Sequence, residues 1–586
     1  MSAMNTNPQT IQSKRDGVEA GAGLFFFLFA AAKKCALLLP VAVLALFFAL
    51  PVVKLIVLSM QHDSGFTFAH YADLLQEPRT WKTLKDTAAI VIGSSLLAVI
   101  LGAVTAWFVA YTDLKYKQAL QMAILFSYMI PSYVLTISWT SLMGTQGPAA
   151  YLLHLVDPNA KPWSMYSYGG IIFMMGIHHF PLVYLLSVDV FRKVPRDLEW
   201  ASRAGGAGKV KTFFLVTLPI ALPGLAGGGL LAFLAGLDNF GIPAFLGIPA
   251  HISVLSTLIY EQIIGFGPSA FSKGAALSVV LVLFAAAGAM LQWLLVRKNN
   301  PFDAGVPDDS PRYFLGPYRT LVSLLLWGFL AVITVVPSLS MLAVSLKKAY
   351  GVPFTLPNLT LDHYQYILFE STKVWRSMQN SFLLAAVTLG ICFAFGTWIA
   401  YVRVRRPSWL AKTAEIVIAL PFTLPGIVFG LAMIFVWMEP VPGWNPGIYG
   451  SMQILFIAYV CRFLILQVRS GISAFMQIDV SMEEAAHIFG ADRRRKWLRI
   501  LLPLLAPGLL GGGILVFLTA LTELTVSAIL WSAGSQTIGV TVYGFEQAGD
   551  TMYSTALSSL VIALILAGMA VIYTLQKVQA KRGVRS

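Results

Sequence analysis

The residues with chemistry to offer are few, and they sit where charge is expensive. His178 and His179, Asp238 and Asn239, Arg462, and Thr522 and Glu523 all interrupt long apolar runs. Ionisable groups at membrane depth usually face a pathway or a partner. The oxygens of Asp238, Thr522 and Glu523 suit a hard cation. Arg462 with His178 suits an anion, held by charge-assisted hydrogen bonds. The competing reading is structural: Asp238 or Glu523 pairs with Arg462 or a histidine and ties helices together. Residue type alone leaves both open. A metal centre is not assigned, because His62, His70, His154, His251 and His363 are scattered without zinc-like spacing. These five read as helix caps or solvent-facing groups. Cys35, Cys392 and Cys461 lie in apolar runs with no CxxC and read as small core residues.

A second set lies in polar loops. An offset of 284 places Glu199–Gly229 on Glu483–Gly513 without a gap, with Gly206 on Gly490, Pro219 on Pro503 and Pro223 on Pro507. Loops usually vary more than the elements they join, so a duplicated loop implies contact with something. Small residues (Ala201, Ser202 and Gly206; Ala485, Ala486 and Gly490) allow close approach of another backbone. Each glycine ends a short helix and each proline restarts one. Trp200 stands where the second copy has Glu484. Arg493–Lys496 would hold the loop against anionic lipid or an acidic partner. Gly205–Lys209 looks like a phosphate loop but is not one. The pattern needs Gly at 203 and Ser or Thr at 210, and the sequence has Arg203 and Val210.

The elements that must position these groups follow from composition. The chain has 586 residues, 57% hydrophobic and 12% charged, with a mean hydropathy of +0.74. A soluble chain carries about 25% charged residues, so soluble enzymes are excluded. The class is all-α and polytopic, with about 12 transmembrane helices. The candidate spans are 35–60, 88–111, 119–143, 169–190, 220–247 and 274–296, then 318–346, 380–402, 413–437, 447–468, 505–531 and 554–576. With the N-terminus inside, about three quarters of the 41 Lys+Arg fall in inner segments, so both termini are expected to be cytoplasmic. The net charge of +14 then reports orientation rather than a nucleic-acid partner. Gly21–Ala32 is too short to cross and reads as an uncleaved interfacial segment. The offset drifts toward the N-terminus of each half, where Trp81-Lys82 resembles Trp375-Arg376, Ala110-Tyr111 resembles Ala400-Tyr401, and His70-Tyr71 resembles His363-Tyr364. Spans one to six thus repeat in seven to twelve with the same orientation, as two parallel six-helix repeats. The expected organisation is an N-terminal segment 1–34, halves 35–296 and 318–577, a linker 297–317 and a tail 578–586. Pro131 and Pro425 predict breaks in spans three and nine that neighbouring polar groups must satisfy.

The second loop reads Glu484-Ala485-Ala486, Gly490 and Ile500-Leu501-Leu502-Pro503, and the first reads Trp200-Ala201-Ser202, Gly206, Val216 and Leu218-Pro219. This pattern resembles the signature of permeases in binding-protein-dependent ABC importers, of the type I permease fold. The resemblance implies an inner-membrane subunit of bacteria that works with an ABC ATPase dimer and a periplasmic substrate-binding protein, with membrane lipid around it. It implies no cofactor in this chain, since ATP and Mg would be bound by the ATPase, whose closing motion the loop helices would receive. The departure at Trp200 puts the equivalence of the two docking sites in question. LDNFGIPAFLG after the first loop and LTALTELTVSAILW after the second resemble the fused branch that includes ferric-iron and 2-aminoethylphosphonate permeases. Ferric iron is the expected cargo, 2-aminoethylphosphonate or another small anionic solute the alternative. A secondary transporter is the alternative class; Asp238 and Glu523 could bind its coupling ion, but the paired loops would go unexplained.

Overall fold

The computed structural model describes residues 42–62, 65–265, 269–296, 308–439 and 447–583. The segment 1–34, Cys35, the Gly21–Ala32 run, the first part of the linker and the last residues of the tail lie outside the described residues. Among the described residues, ten helices are long and apolar enough to cross a membrane, and two further helix pairs are bent by 93° and 107°. Those two pairs are the third and ninth spans, broken after Met129 and after Thr423, beside Pro131 and Pro425. They do not cross as single rods. Apart from helices there is a two-residue hairpin, Gln61–His62 against Gly65–Phe66.

Proline shapes the helices in repeat-related pairs. Pro51 and Pro337 in the first span of each half follow widened π turns at Ala45–Ala49 and Ala331–Val335. Pro219 and Pro503 follow similar turns at Phe213–Thr217 and Lys496–Leu501. A proline ring pushes away the carbonyl four residues back and cannot donate to it, so the turn widens.

The longest helices, Pro78–Tyr111 and Thr372–Arg405, each hold 34 residues and form the backs of the two halves. Each packs closely on its half's fourth span, with a glycine at a repeat-related position. A methyl added at Gly102 would lie 2.7 Å from Val183 Cβ, and one at Gly396 would lie 2.8 Å from Gln467 Cγ. The matched ends correct the register expected from sequence. Trp107, not Tyr111, is the counterpart of Tyr401: Trp107 meets Phe213 at 6.1 Å and Tyr401 meets Trp497 at 5.0 Å. Tyr111 then falls opposite Arg405, one helical turn further on.

The fifth and eleventh spans also end earlier than expected. Their helices stop at Asp238 and Leu521, and the chain continues into short pieces that include Leu255–Ile264 and Ile538–Ala548. Much of these pieces is buried, so 532–552 is not an open outer loop. Helices of ten and eleven residues are too short to span, and hydropathy alone merges them with a span or a loop. They meet at the seam between halves, where Tyr543 packs against Phe240, Phe245 and Tyr260 at 6.1, 5.3 and 6.1 Å.

The halves exchange their first spans. Leu50–Ser59 packs on the second leg of the other half's broken span, Gly426–Trp437, and Val336–Ser345 packs on Ser132–Met143. Lys54 and Glu439 pair across this contact at 2.9 Å. The C-terminal end of each first span is clasped in the same way. Tyr71 OH donates to Ser59 Oγ at 2.7 Å, and His70 Nε2 lies 3.1 Å from Gln61 O. Tyr364 OH lies 2.7 Å from Ser345 Oγ, and His363 Nε2 lies 2.9 Å from Lys347 O. Each of these histidines closes a turn at the end of its half's first span.

Candidate functional site

Two short helices, Arg196–Ala204 and Val480–Ile488, stand between the fourth and fifth spans of each half. Both end in the same C-cap. Gly206 has φ +85° and Gly490 φ +75°, a left-handed conformation that favours glycine. Ala207 N then donates to Ser202 O at 3.1 Å, and Ala491 N to Ala486 O at 2.9 Å. Trp200 and Ala201, and Glu484 and Ala485, face outward, while Ser202 and Ala486 turn toward the bundle. Large apolar side chains are exposed at these outer faces beside Glu484: Trp200 is 58% exposed, Ile488 83% and Phe489 89%. Pro219 and Pro503 restart the fifth spans behind them.

The acid that anchors each helix is one residue before the motif position. Glu199 and Glu483 are buried at the root. Glu483 Oε1 accepts from Arg405 Nε at 2.6 Å, and Oε2 from Lys496 Nζ at 2.9 Å. Burial pushes the Glu483 carboxyl up, but the hydrogen bonds and charges of Lys496 and Arg405 outweigh it and hold it below its usual range. Glu199 Oε1 accepts from Tyr111 OH at 2.8 Å and Thr217 Oγ1 at 2.6 Å, and Oε2 from Arg312 Nη1 at 3.0 Å. Glu199 and Glu483 stood in the superimposed stretch as identical residues, a signal that sequence reasoning passed over. Arg312, in the linker, carried no such signal.

Of the intramembrane set, the structure joins Asp238 and Arg462 directly. Arg462 Nη2 lies 3.0 and 2.8 Å from the two oxygens of Asp238. The pair stitches the ninth span's break. Its first leg ends in carbonyls that lack helical donors, and its second leg begins with N–H groups that lack acceptors. Arg462 Nη1 donates to Leu424 O at 3.3 Å and Pro421 O at 3.5 Å, while Gly426 N donates to Asp238 Oδ1 at 2.5 Å. Asp238 belongs to the first half and the break to the second, so the stitch crosses the seam. Arg462 is 6% exposed in its side chain and Asp238 37%.

Glu523 and Asn239, at repeat-related positions, do the same local job. Asn239 Oδ1 accepts from Ile242 N at 3.0 Å, and Glu523 Oε1 from Val526 N at 2.6 Å. The second oxygen of Glu523 takes Ser527 N at 3.0 Å and Ser527 Oγ at 2.9 Å. Thr522 Oγ1 donates back to Leu518 O at 2.9 Å. His178, the counterpart of Arg462, stacks on Tyr128 at 5.5 Å and meets the His179 ring at 5.1 Å. Its buried Nδ1 has no hydrogen-bond partner among the described residues. The structure therefore does not gather Asp238, Glu523, His178 and Arg462 into one ligand cage. No group of three or more metal-ligating side chains occurs among the described residues.

Comparison with known proteins agrees with this architecture. The model of the family described as "Binding-protein-dependent transport system inner membrane component" matches twice, at residues 98–300 and 386–584. The ferric transport system permease protein FbpB of Actinobacillus pleuropneumoniae is 26% identical over 75% of this chain, which spans 63% of that relative's length. A putative ferric transport system permease protein, FbpB 1, of Haemophilus influenzae is 26% identical over 87% of this chain and 80% of its own. The molybdate/tungstate transport system permease protein WtpB of Pyrococcus abyssi is 25% identical over 44% of this chain and 93% of its own. With the family domain present in both halves, the chain belongs to the binding-protein-dependent transport system inner membrane components and is a transport permease rather than an enzyme.

Proposed function

We propose that the chain is the permease of an ATP-driven importer and that its cargo is ferric iron handed over by a periplasmic binding protein. The observation that carries the reading is the pair of loop helices, with matched glycine caps and large exposed apolar side chains, one in each half. Each would seat in a groove of one subunit of an ABC ATPase dimer, where ATP and Mg are bound. The protein then sits in the bacterial inner membrane with the loop helices, the linker and both termini in the cytoplasm.

Iron is favoured over an anion on two grounds. Two relatives that match 75% and 87% of this chain are named for ferric transport. Arg462, the cation an anionic cargo would need, is already committed to Asp238. Asp238 keeps over a third of its side chain exposed while paired, so a hard cation could reach its oxygens. Liposomes holding the chain, its ATPase and its binding protein should take up radiolabelled ferric iron only with ATP. Uptake of 2-aminoethylphosphonate without iron would sink the cargo and leave the importer. Uptake that needs no ATPase would sink the importer.

A further inference from the structure

Glu199 and Glu483 occupy the same place, yet their cations come from different parts of the chain. In the second half they are Arg405, which ends the long helix Thr372–Arg405, and Lys496, which opens the eleventh span. The equivalent residues of the first half are Tyr111 and Thr212, and neither is cationic. A buried carboxylate without a cation is costly. The missing charge arrives from the segment that joins the halves. Arg312 Nη1 lies 3.0 Å from Glu199 Oε2 and 2.9 Å from Tyr111 OH, and the Arg312 and Glu199 side chains are each 4% exposed.

The segment is tied along its length. Arg312 N and Tyr313 N donate to Tyr111 O at 2.8 and 2.9 Å. Arg312 Nη2 donates to Val194 O at 2.5 Å, at the entry to the loop helix. Leu315 N donates to Asp113 Oδ1 at 2.9 Å, and Asp309 pairs with Arg192 at 2.9 Å. A passive connector needs none of these bonds.

We propose that residues 308–315 form a strap on the first loop helix, and that Arg312 is the positioning residue that sets this helix for docking. The role in docking rests on the importer reading above; the strap itself does not. Hydrogen–deuterium exchange of the full chain in lipid nanodiscs tests the strap without ATPase or cargo. Arg312→Gln should speed exchange in 196–207 by about a hundredfold and leave 480–491 unchanged. Arg405→Gln should do the reverse. Tyr111→Arg combined with Arg312→Gln should restore slow exchange, because it rebuilds the second half's arrangement in the first. Unchanged exchange in 196–207, an equal rise in both loop helices, or no rescue by Tyr111→Arg would each overturn the strap. ATP-driven uptake should fall and recover with the same variants. Parent-level uptake with a loosened helix would overturn the positioning role and leave the importer reading intact.

Discussion

A carboxylate inside an apolar bundle has to be answered, and the residues here answer theirs in different currencies. Asp238 is met by a guanidinium from the other half, Glu523 by the backbone of its own next turn. Replacing either member of the Asp238–Arg462 pair leaves the other uncompensated. A cycle of Asp238→Asn, Arg462→Gln and both should therefore show a coupling of about 2–3 kcal/mol in thermal unfolding. Additive losses would mean that the two do not act as a unit. Glu523→Gln should cost about 1–2 kcal/mol, because an amide nitrogen would then face a donor it cannot bond. Uptake by that variant must be normalised to folded protein before it is read as chemistry. The sequence made these residues visible, since charge in an apolar run stands out. It could not choose their partners, because Asp238 and Arg462 are joined only through the seam between halves.

At the scale of the element, each loop helix is fixed by a buried acid at its root and a glycine at its end. Nothing lies within 4 Å of where a Cβ on Gly490 would stand. A side chain there meets backbone strain and not a clash within the chain. Gly490→Val should cost about 1–2 kcal/mol, and Gly490→Asn, which tolerates φ near +75°, clearly less. If Gly490→Asn folds normally yet loses uptake, the loss reports contact with a docked partner. The root has its own pH signature. The Glu483 carboxyl is held below its usual range, so its contribution is complete above the unfolded value of about 4.3 and is lost as pH falls through the lower native value. Protection of 480–491 against exchange should be flat from about pH 8 to 5 and fall below about pH 4. Glu483→Gln should abolish that step. The loops were legible because Gly206, Gly490, Pro219 and Pro503 impose fixed backbone geometry. The ends of spans five and eleven were not, because hydropathy does not register a break made by Asp238-Asn239 or Thr522-Glu523.

At the scale of the molecule, the exchange of first spans makes the halves interdependent. Each half's broken span is covered by a helix that belongs to the other. The repeat could be read from loop spacing, but the exchange could not, since a lipid-facing and a partner-facing apolar helix have the same composition. Orientation can be tested at single positions. In a chain freed of its three cysteines, Asp309→Cys should react with a charged thiol reagent only from the cytoplasmic side. Val156→Cys, where the native side chain is 89% exposed, should react only from outside. Reaction of the 309 variant from outside would invert the orientation.

Arg312 also has a consequence in time. The chain is made from its N-terminus at about 5–20 residues per second. All six spans of the first half, with Glu199 in the loop between two of them, are synthesised before residue 312. For roughly one to three seconds after Val296 is added that carboxylate lacks the cation that pairs with it in the finished chain. The first half therefore finishes folding only as the second begins to emerge, and synthesis itself sets the order of assembly. A chain truncated before residue 312 and released into the membrane should leave its first loop helix open to protease, and one extended past residue 315 should protect it.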